Sequence, residues 1–300
     1  MKPAEIAELA QLACLLEASA FPKPGNASPC SRKAELEYEH FLKAAVAVRK
    51  TFEKAAEKGK KAREGKLKLK EIGLGKLFLQ AARDTTKLAG ETNVNAGIIT
   101  LLVPLCAAEG YGGVKHAKKI VEAAGEQDSA GLIQMAQTLC PRVPERKDLG
   151  IENEGTAREV LERKITLKEL LKQSFGSVPK ELVNGFKKTR EAAREIRRAR
   201  KAGANWNDCV CQAFLKLLAK YPDSLVELKF GKEKAKEVSR KAKEILLEES
   251  MLTEKGRKKA EKLDEEFKRQ GINPGATADL VCAGIFTFLI QESSGKGLKK

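Results

Sequence analysis

Four short stretches of this 300-residue sequence join turn-forming residues to polar groups at the edge of a helical pattern. They are Pro22-Lys23-Pro24-Gly25-Asn26, Thr92-Asn93-Val94-Asn95-Ala96-Gly97, Pro222-Asp223-Ser224-Leu225 and Asn273-Pro274-Gly275-Ala276-Thr277-Ala278-Asp279. In the first, two prolines stiffen the chain around a single lysine, lowering the entropy lost when its ammonium meets an anion. In the second and fourth, an Asn-containing turn runs into an apolar helix, whose first N–H groups form a ready phosphate site. Ordinary turn chemistry accounts for each stretch as well, with Asn95 or Thr277 as simple N-caps. Asp279 reads both ways. A carboxylate in a first helical turn complements the helix dipole, but one entering the apolar run Leu280-Val281-Cys282 also suits a reactive site.

Other chemistries are thinly represented. Cys209 and Cys211 have no second close pair to complete a zinc site and read as core residues. His40 and His116 lie far apart among charged neighbours. No GxxxxGK[ST] loop occurs, and the glycines at 73, 75, 110, 112 and 113 read as turns or helix ends. Seven cysteines, an odd count placed mostly in apolar stretches, read as reduced thiols of a cytoplasmic protein.

The elements that must position these loops are helical nearly throughout. Ile6, Leu9, Leu12, Leu15 and Leu16 recur at threes and fours and predict a helix over 4–19. Further helices are expected near 34–58, 72–89, 96–108, 114–124 and 129–139, with Pro104 kinking the third of these. Thr166 and Glu169 form a capping box opening a helix that ends near Ser174. Pro179 suits the first turn of a helix running to about Lys201, and Asn205 opens another over 206–220. Helices near 232–249, 254–269 and 277–291 complete the set, and Ser224–Phe230 alone alternates like a strand. The expected fold is all-α, one domain over 1–300, with a basic exposed excursion at 58–72 and a loose tail at 292–300.

At 42% hydrophobic and 33% charged residues, the chain is too apolar for disorder and too charged for a membrane bundle. The runs Gly97–Ala108 and Leu280–Ile290 are short of a bilayer span, and the first residues do not read as a secretory signal. A net charge of +16 points to a polyanionic partner without choosing one.

Taken together and in order, these stretches resemble the triphosphoribosyl-dephospho-CoA synthase family, and its archaeal branch in particular. The matching residues run from Leu15-Leu16-Glu17-Ala18-Ser19 and the Phe21–Asn26 loop to the 92–97 loop with its apolar helix. Val183-Asn184-Gly185-Phe186 follows, then Tyr221–Val226 with Lys229-Phe230-Gly231, and finally Asn273–Leu280. Two departures stand out. Bacterial relatives carry a His–Lys pair where this chain has Asn95-Ala96, and Gly176 lies in a segment where an aspartate is expected.

The resemblance implies an all-α transferase that takes ATP as substrate, with Mg2+, and dephospho-CoA or a related nucleotide as acceptor. The acceptor's 2′-hydroxyl attacks the ribose C1′ of ATP, and adenine leaves while the triphosphate stays on the sugar. Such chemistry needs cations or helix N-termini for the triphosphate and a carboxylate near the hydroxyl or the cationic ribose. On that reading Lys23 and Lys229 serve the phosphates with backbone at Gly25, Gly97 and Gly275. Asn93 and Asn95 orient ribose or phosphate oxygens, and Asn26 and Asn273 line the same loops. Asp223 or Asp279 acts as base, oxocarbenium stabiliser or magnesium ligand. Two other readings stand beside it. One is a basic nucleic-acid-binding module built on Lys187–Lys201, and the other is a family member that has lost catalysis. No membrane partner is implied.

Overall fold

The computed structural model describes residues 1–30, 37–90, 94–139, 155–248 and 250–295. The helices are α1 Pro3–Ser19, α2 Tyr38–Ala47, α3 Arg49–Arg63, α4 Leu74–Ala89, α5 Ala96–Tyr111, α6 Ala117–Ala123, α7 Glu126–Leu139 and α8 Thr156–Glu162. They continue as α9 Leu167–Gln173, α10 Ser177–Val183, α11 Lys187–Lys201, α12 Trp206–Lys220, α13 Ser224–Phe230, α14 Lys232–Glu248, α15 Glu254–Arg269 and α16 Gly275–Ser293. No strand occurs among the described residues, so the all-α expectation holds.

The chain divides into two compact units. The first comprises 1–12, 39–174 and 179–186. There α3 packs on α5, and α4 on α7. The α3–α5 approach is close because two glycines meet it. A Cβ on Gly59 would overlap the Ala107 carbonyl, and one on Gly110 would overlap the Ala56 carbonyl. Gly59→Ala is expected to cost about 1–3 kcal/mol, because backbone rather than a flexible side chain must yield; thermal unfolding measures it. The sequence placed Gly59 in an exposed excursion, but it is buried inside α3, and Lys58 donates from Nζ to the Ile72 carbonyl at 2.8 Å. Ile72 is itself fully buried.

The second unit comprises 13–38, 175–178 and 187–300. Its centre is α16, which packs on α11 and α12, while α12 also packs on α14. The apolar run at 280–290 thus belongs to a 19-residue helix. By length and composition that helix could cross a bilayer, but 72% of its apolar window is buried within the protein. Helix α11 buries Thr189, Ala192, Ala193, Ile196 and Ala199 at helical spacing and turns its basic residues outward. Glu191 and Glu195 on α11 then pair with Lys220 and Lys216 of α12, so part of the local positive charge is spent within the fold.

Local signals explain most boundaries. Thr166 accepts from the Glu169 amide, and Glu169 returns a bond to the Thr166 amide, closing the predicted capping box. Asn205 caps α12 by accepting from the Asp208 amide at 2.9 Å. Three expectations fail. The segment from Pro179 to Lys201 is not one helix: Gly185 and Phe186 both take positive φ and separate α10 from α11. Ser224–Phe230 is helix α13 rather than a strand, because the Asp223 side chain caps it. The predicted helix over 34–58 is two, α2 and α3, meeting at Val48. The polar stretch 141–153 and the tail from 296 lie outside the described residues.

Candidate active site

The second unit brings three of the four sequence loops together. The Phe21–Asn26 loop is held from both sides. Asn207 brackets Phe21, accepting from its amide at 2.8 Å and donating to its carbonyl at 2.7 Å. Gly25, at φ +78°, donates its amide to Asp264 Oδ1 at 2.9 Å. A Cβ there would overlap the Ile272 carbonyl and lie 2.9 Å from Phe267 Cβ, so this turn accepts glycine alone without rearrangement. Asn26 Nδ2 donates to Asn273 Oδ1 at 2.9 Å, which fastens the first loop to the last.

Between those fastenings, Lys23 turns inward. Its side chain is 0% exposed and forms an ion pair with Glu17, 4% exposed, near the end of α1. Lys23 Nζ also donates to the Glu17 backbone carbonyl at 2.7 Å. Glu17 continues the buried stripe of α1 through Ala10, Ala13 and Cys14. An acid on that stripe needs a cation, and Lys23 supplies it.

Asp223 is 1% exposed and joins two helices. Its Oδ1 accepts from the amides of Leu225 at 2.9 Å and Val226 at 3.2 Å, capping α13. Its Oδ2 accepts from the amide and the hydroxyl of Thr277, both at 2.7 Å, in the first turn of α16. An anion therefore already sits at this helix end, and it belongs to the protein. Burial pushes the Asp223 carboxyl above the usual carboxylate range, with the four donors opposing it.

Asp279 lies half a turn beyond Thr277 and differs from Asp223 in its surroundings. It keeps partial exposure, yet its carboxyl lies deep enough for loss of hydration to dominate. Burial first, then the neighbouring Glu17 and Asp223 carboxylates, raise its proton affinity well above the ordinary range; Lys23 opposes the rise. No side chain or amide among the described residues donates to it. A desolvated carboxyl without a donor, still open to a small probe, is a group poised to exchange a proton.

The remaining candidates are placed as follows. Lys229 is exposed at the end of α13, its Nζ 3.4 Å from the Gly271 carbonyl. Gly275 opens α16. Asn95 and Gly97 belong to the first unit, at the start of α5. Asn95 is 2% exposed, does not cap the helix through its side chain, and leaves Nδ2 without a partner. Asn93 lies outside the described residues. Among the described residues no three His, Cys, Asp or Glu side chains are placed to hold a metal. Asp223 has its four acceptor positions engaged by Leu225, Val226 and Thr277. The Cys209 and Cys211 thiols are buried and pushed up to about 11 and about 12 by desolvation, which suits core residues. Sequence reading missed Glu17, Asp264, Asn207 and Thr277 as supports. For Glu17 the available signal was an acid on an otherwise apolar helical stripe.

The family model for ATP:dephospho-CoA triphosphoribosyl transferase matches residues 3–297. The chain belongs to this family. A crystal structure from Archaeoglobus fulgidus, assigned as a triphosphoribosyl-dephospho-CoA synthase, is similar at a TM-score of 0.65 and 26% identity. The match covers 85% of this chain and 99% of that one. No curated protein matches the sequence. As a family member the chain is a transferase with ATP as a substrate, and the all-α architecture agrees. A nucleic-acid-binding module is not favoured.

Proposed function

We propose that this triphosphoribosyl transferase uses Asp279 as its general base, taking the proton from the acceptor's 2′-hydroxyl as that oxygen attacks the ribose C1′ of ATP. The carrying observation is the Asp279 carboxyl itself, desolvated and without a donor just past the first turn of α16, which begins at Gly275 and not at Thr277 as the spacing suggests. In the step, the new O–C1′ bond forms as the C1′–N9 bond breaks, and the bonding pair leaves with adenine, which takes up a proton from solvent. The hydroxyl proton passes to Asp279, whose raised proton affinity makes it a stronger base than an ordinary carboxylate. The same charge lies near the ribose as positive character develops there.

Asp223 acts as the positioning residue that holds the first turn of α16. Lys229, exposed beside the Gly271 turn, suits the triphosphate, with backbone at Gly25 and Gly275 and the Asn26–Asn273 pair shaping the loops. Within the first unit, Asn95 and Gly97 stand at the start of α5, and the Asn95 amide is left without a partner there. Magnesium is assigned to the ATP phosphates as part of the substrate. Incubation with ATP, magnesium and dephospho-CoA should release adenine and yield a heavier CoA species by mass spectrometry. ATP binding without adenine release on this acceptor would move the reading to a different acceptor hydroxyl. No ATP binding, with steeply salt-dependent RNA binding, would sink it.

A further inference from the structure

We propose that the buried Glu17–Lys23 ion pair is a positioning device for Asp279, and that Lys23 acts through this pair instead of binding the triphosphate. The inference rests on Asp279 as the proton-exchanging group but goes beyond it by assigning the two residues behind it.

Three observations carry it. First, the Lys23 ammonium is enclosed and directs two of its three N–H groups to Glu17, one to the carboxylate and one to the backbone carbonyl. A phosphate would have to break that pair and leave Glu17 as an unpaired buried charge, which is strongly unfavourable. Second, α1 and α16 meet where the Cys14 and Cys282 sulfurs lie 3.9 Å apart, both buried. Glu17 lies three residues after Cys14, and Asp279 three residues before Cys282. Residues three apart on a helix are neighbours on one face, so each acid lies about one turn from the sulfur contact on its own helix. Third, the charged groups that act on Asp279 come from three neighbouring segments. They are Glu17 from α1, Lys23 from the loop after it and Asp223 from the cap of α13, with the Cys282 thiol on its own helix. Among these described groups Lys23 is the one cation, and Glu17 fixes its place.

A buried lysine so placed offsets the repulsion that Glu17 and Asp223 exert on an ionised Asp279. Without it the charged, base-competent form of Asp279 would be scarcer at neutral pH. Glu17 has two effects: it opposes ionisation directly and holds the ammonium that favours it.

The test is a titration of the Asp279 side-chain carbonyl by 13C NMR on the full chain, the resonance assigned from Asp279→Asn. Lys23→Met is expected to move the midpoint upward, and Glu17→Gln downward, each by about one unit or more. Since Lys23→Met leaves Glu17 buried without a cation, a strongly destabilising change, the neutral pair Glu17→Gln/Lys23→Met serves as the second variant. It should lower the midpoint, because Glu17 outweighs Lys23 among the influences on Asp279. ATP affinity by calorimetry should stay within about twofold of wild type in each folded variant, since the ammonium that is removed does not touch the phosphates. An unmoved midpoint, or ATP binding weakened tenfold or more, overturns the proposal. Absence of adenine release by the wild type would refute the transfer reading instead, and the NMR midpoints would still judge the pair.

Discussion

Asp279→Asn should lower adenine release at saturating ATP by about 10²–10⁴-fold, the range expected when a positioned general base is removed. Asparagine keeps the shape of the side chain but cannot accept the hydroxyl proton. Binding of ATP should persist, because the substituted group is assigned to the proton and not to the phosphates. Stability should move the other way. The folded-state proton affinity of Asp279 is raised, so the folded chain holds a proton that the unfolded chain has already released above pH ~4. Wild-type stability therefore falls as pH rises from the unfolded value through the folded one, and the loss is complete above the latter. Asparagine has no such loss. Thermal unfolding of the two proteins across pH should show the variant gaining relative to wild type toward neutrality and losing that gain below pH ~4. Adenine release within tenfold of wild type would remove Asp279 from the role of base.

The helices were legible wherever the governing interaction was local. Thr166–Glu169 and Asn205–Asp208 lie three residues apart, and each closes in the structure as its spacing requires. The strand-like pattern at Ser224–Phe230 misled because seven residues carry little periodic information, and the cap that decides the outcome is the side chain just before them. The break at Asn184–Phe186 did carry a local signal, the Asn184-Gly185 pair, set against helical spacing on either side; Gly185 and the buried Phe186 both take positive φ there. The motif loops were legible as loops, and their order gave the family resemblance. What each side chain does within them was not. Lys23 looks, in sequence, like an ammonium displayed between two prolines, but its partner Glu17 turns it into the core. Asn26 meets Asn273, and Gly25 meets Asp264, across more than two hundred residues. Two aspartates in similar turn contexts likewise diverge only through tertiary contacts: Asp223 collects four donors, and Asp279 collects none from the described residues.

That contrast separates the two acids by experiment. Asp223→Ala should cost about 3–5 kcal/mol, combining a lost N-cap on α13 with a buried amide and hydroxyl left unsatisfied at Thr277. The Leu225 amide belongs to an exposed residue and can turn to water, so the larger share falls on Val226 and Thr277. Asp223→Asn should recover part of the loss: its carbonyl can serve one helix, but its amide nitrogen cannot accept from the other. Thr277→Val should be costly in the wild type and nearly silent when Asp223 is already alanine, giving a coupling of about 1–3 kcal/mol in a double-mutant cycle by denaturant unfolding. Adenine release should fall with Asp223→Ala because the first turn of α16, which leads directly into Asp279, loses its anchor, and Asp223→Asn should restore part of the rate along with part of the stability. Were Asp223→Asn as stable as wild type and yet inactive, the clamp would give way to a direct chemical role for Asp223, since stability and rate follow one another only if the carboxylate works by holding the helix in place.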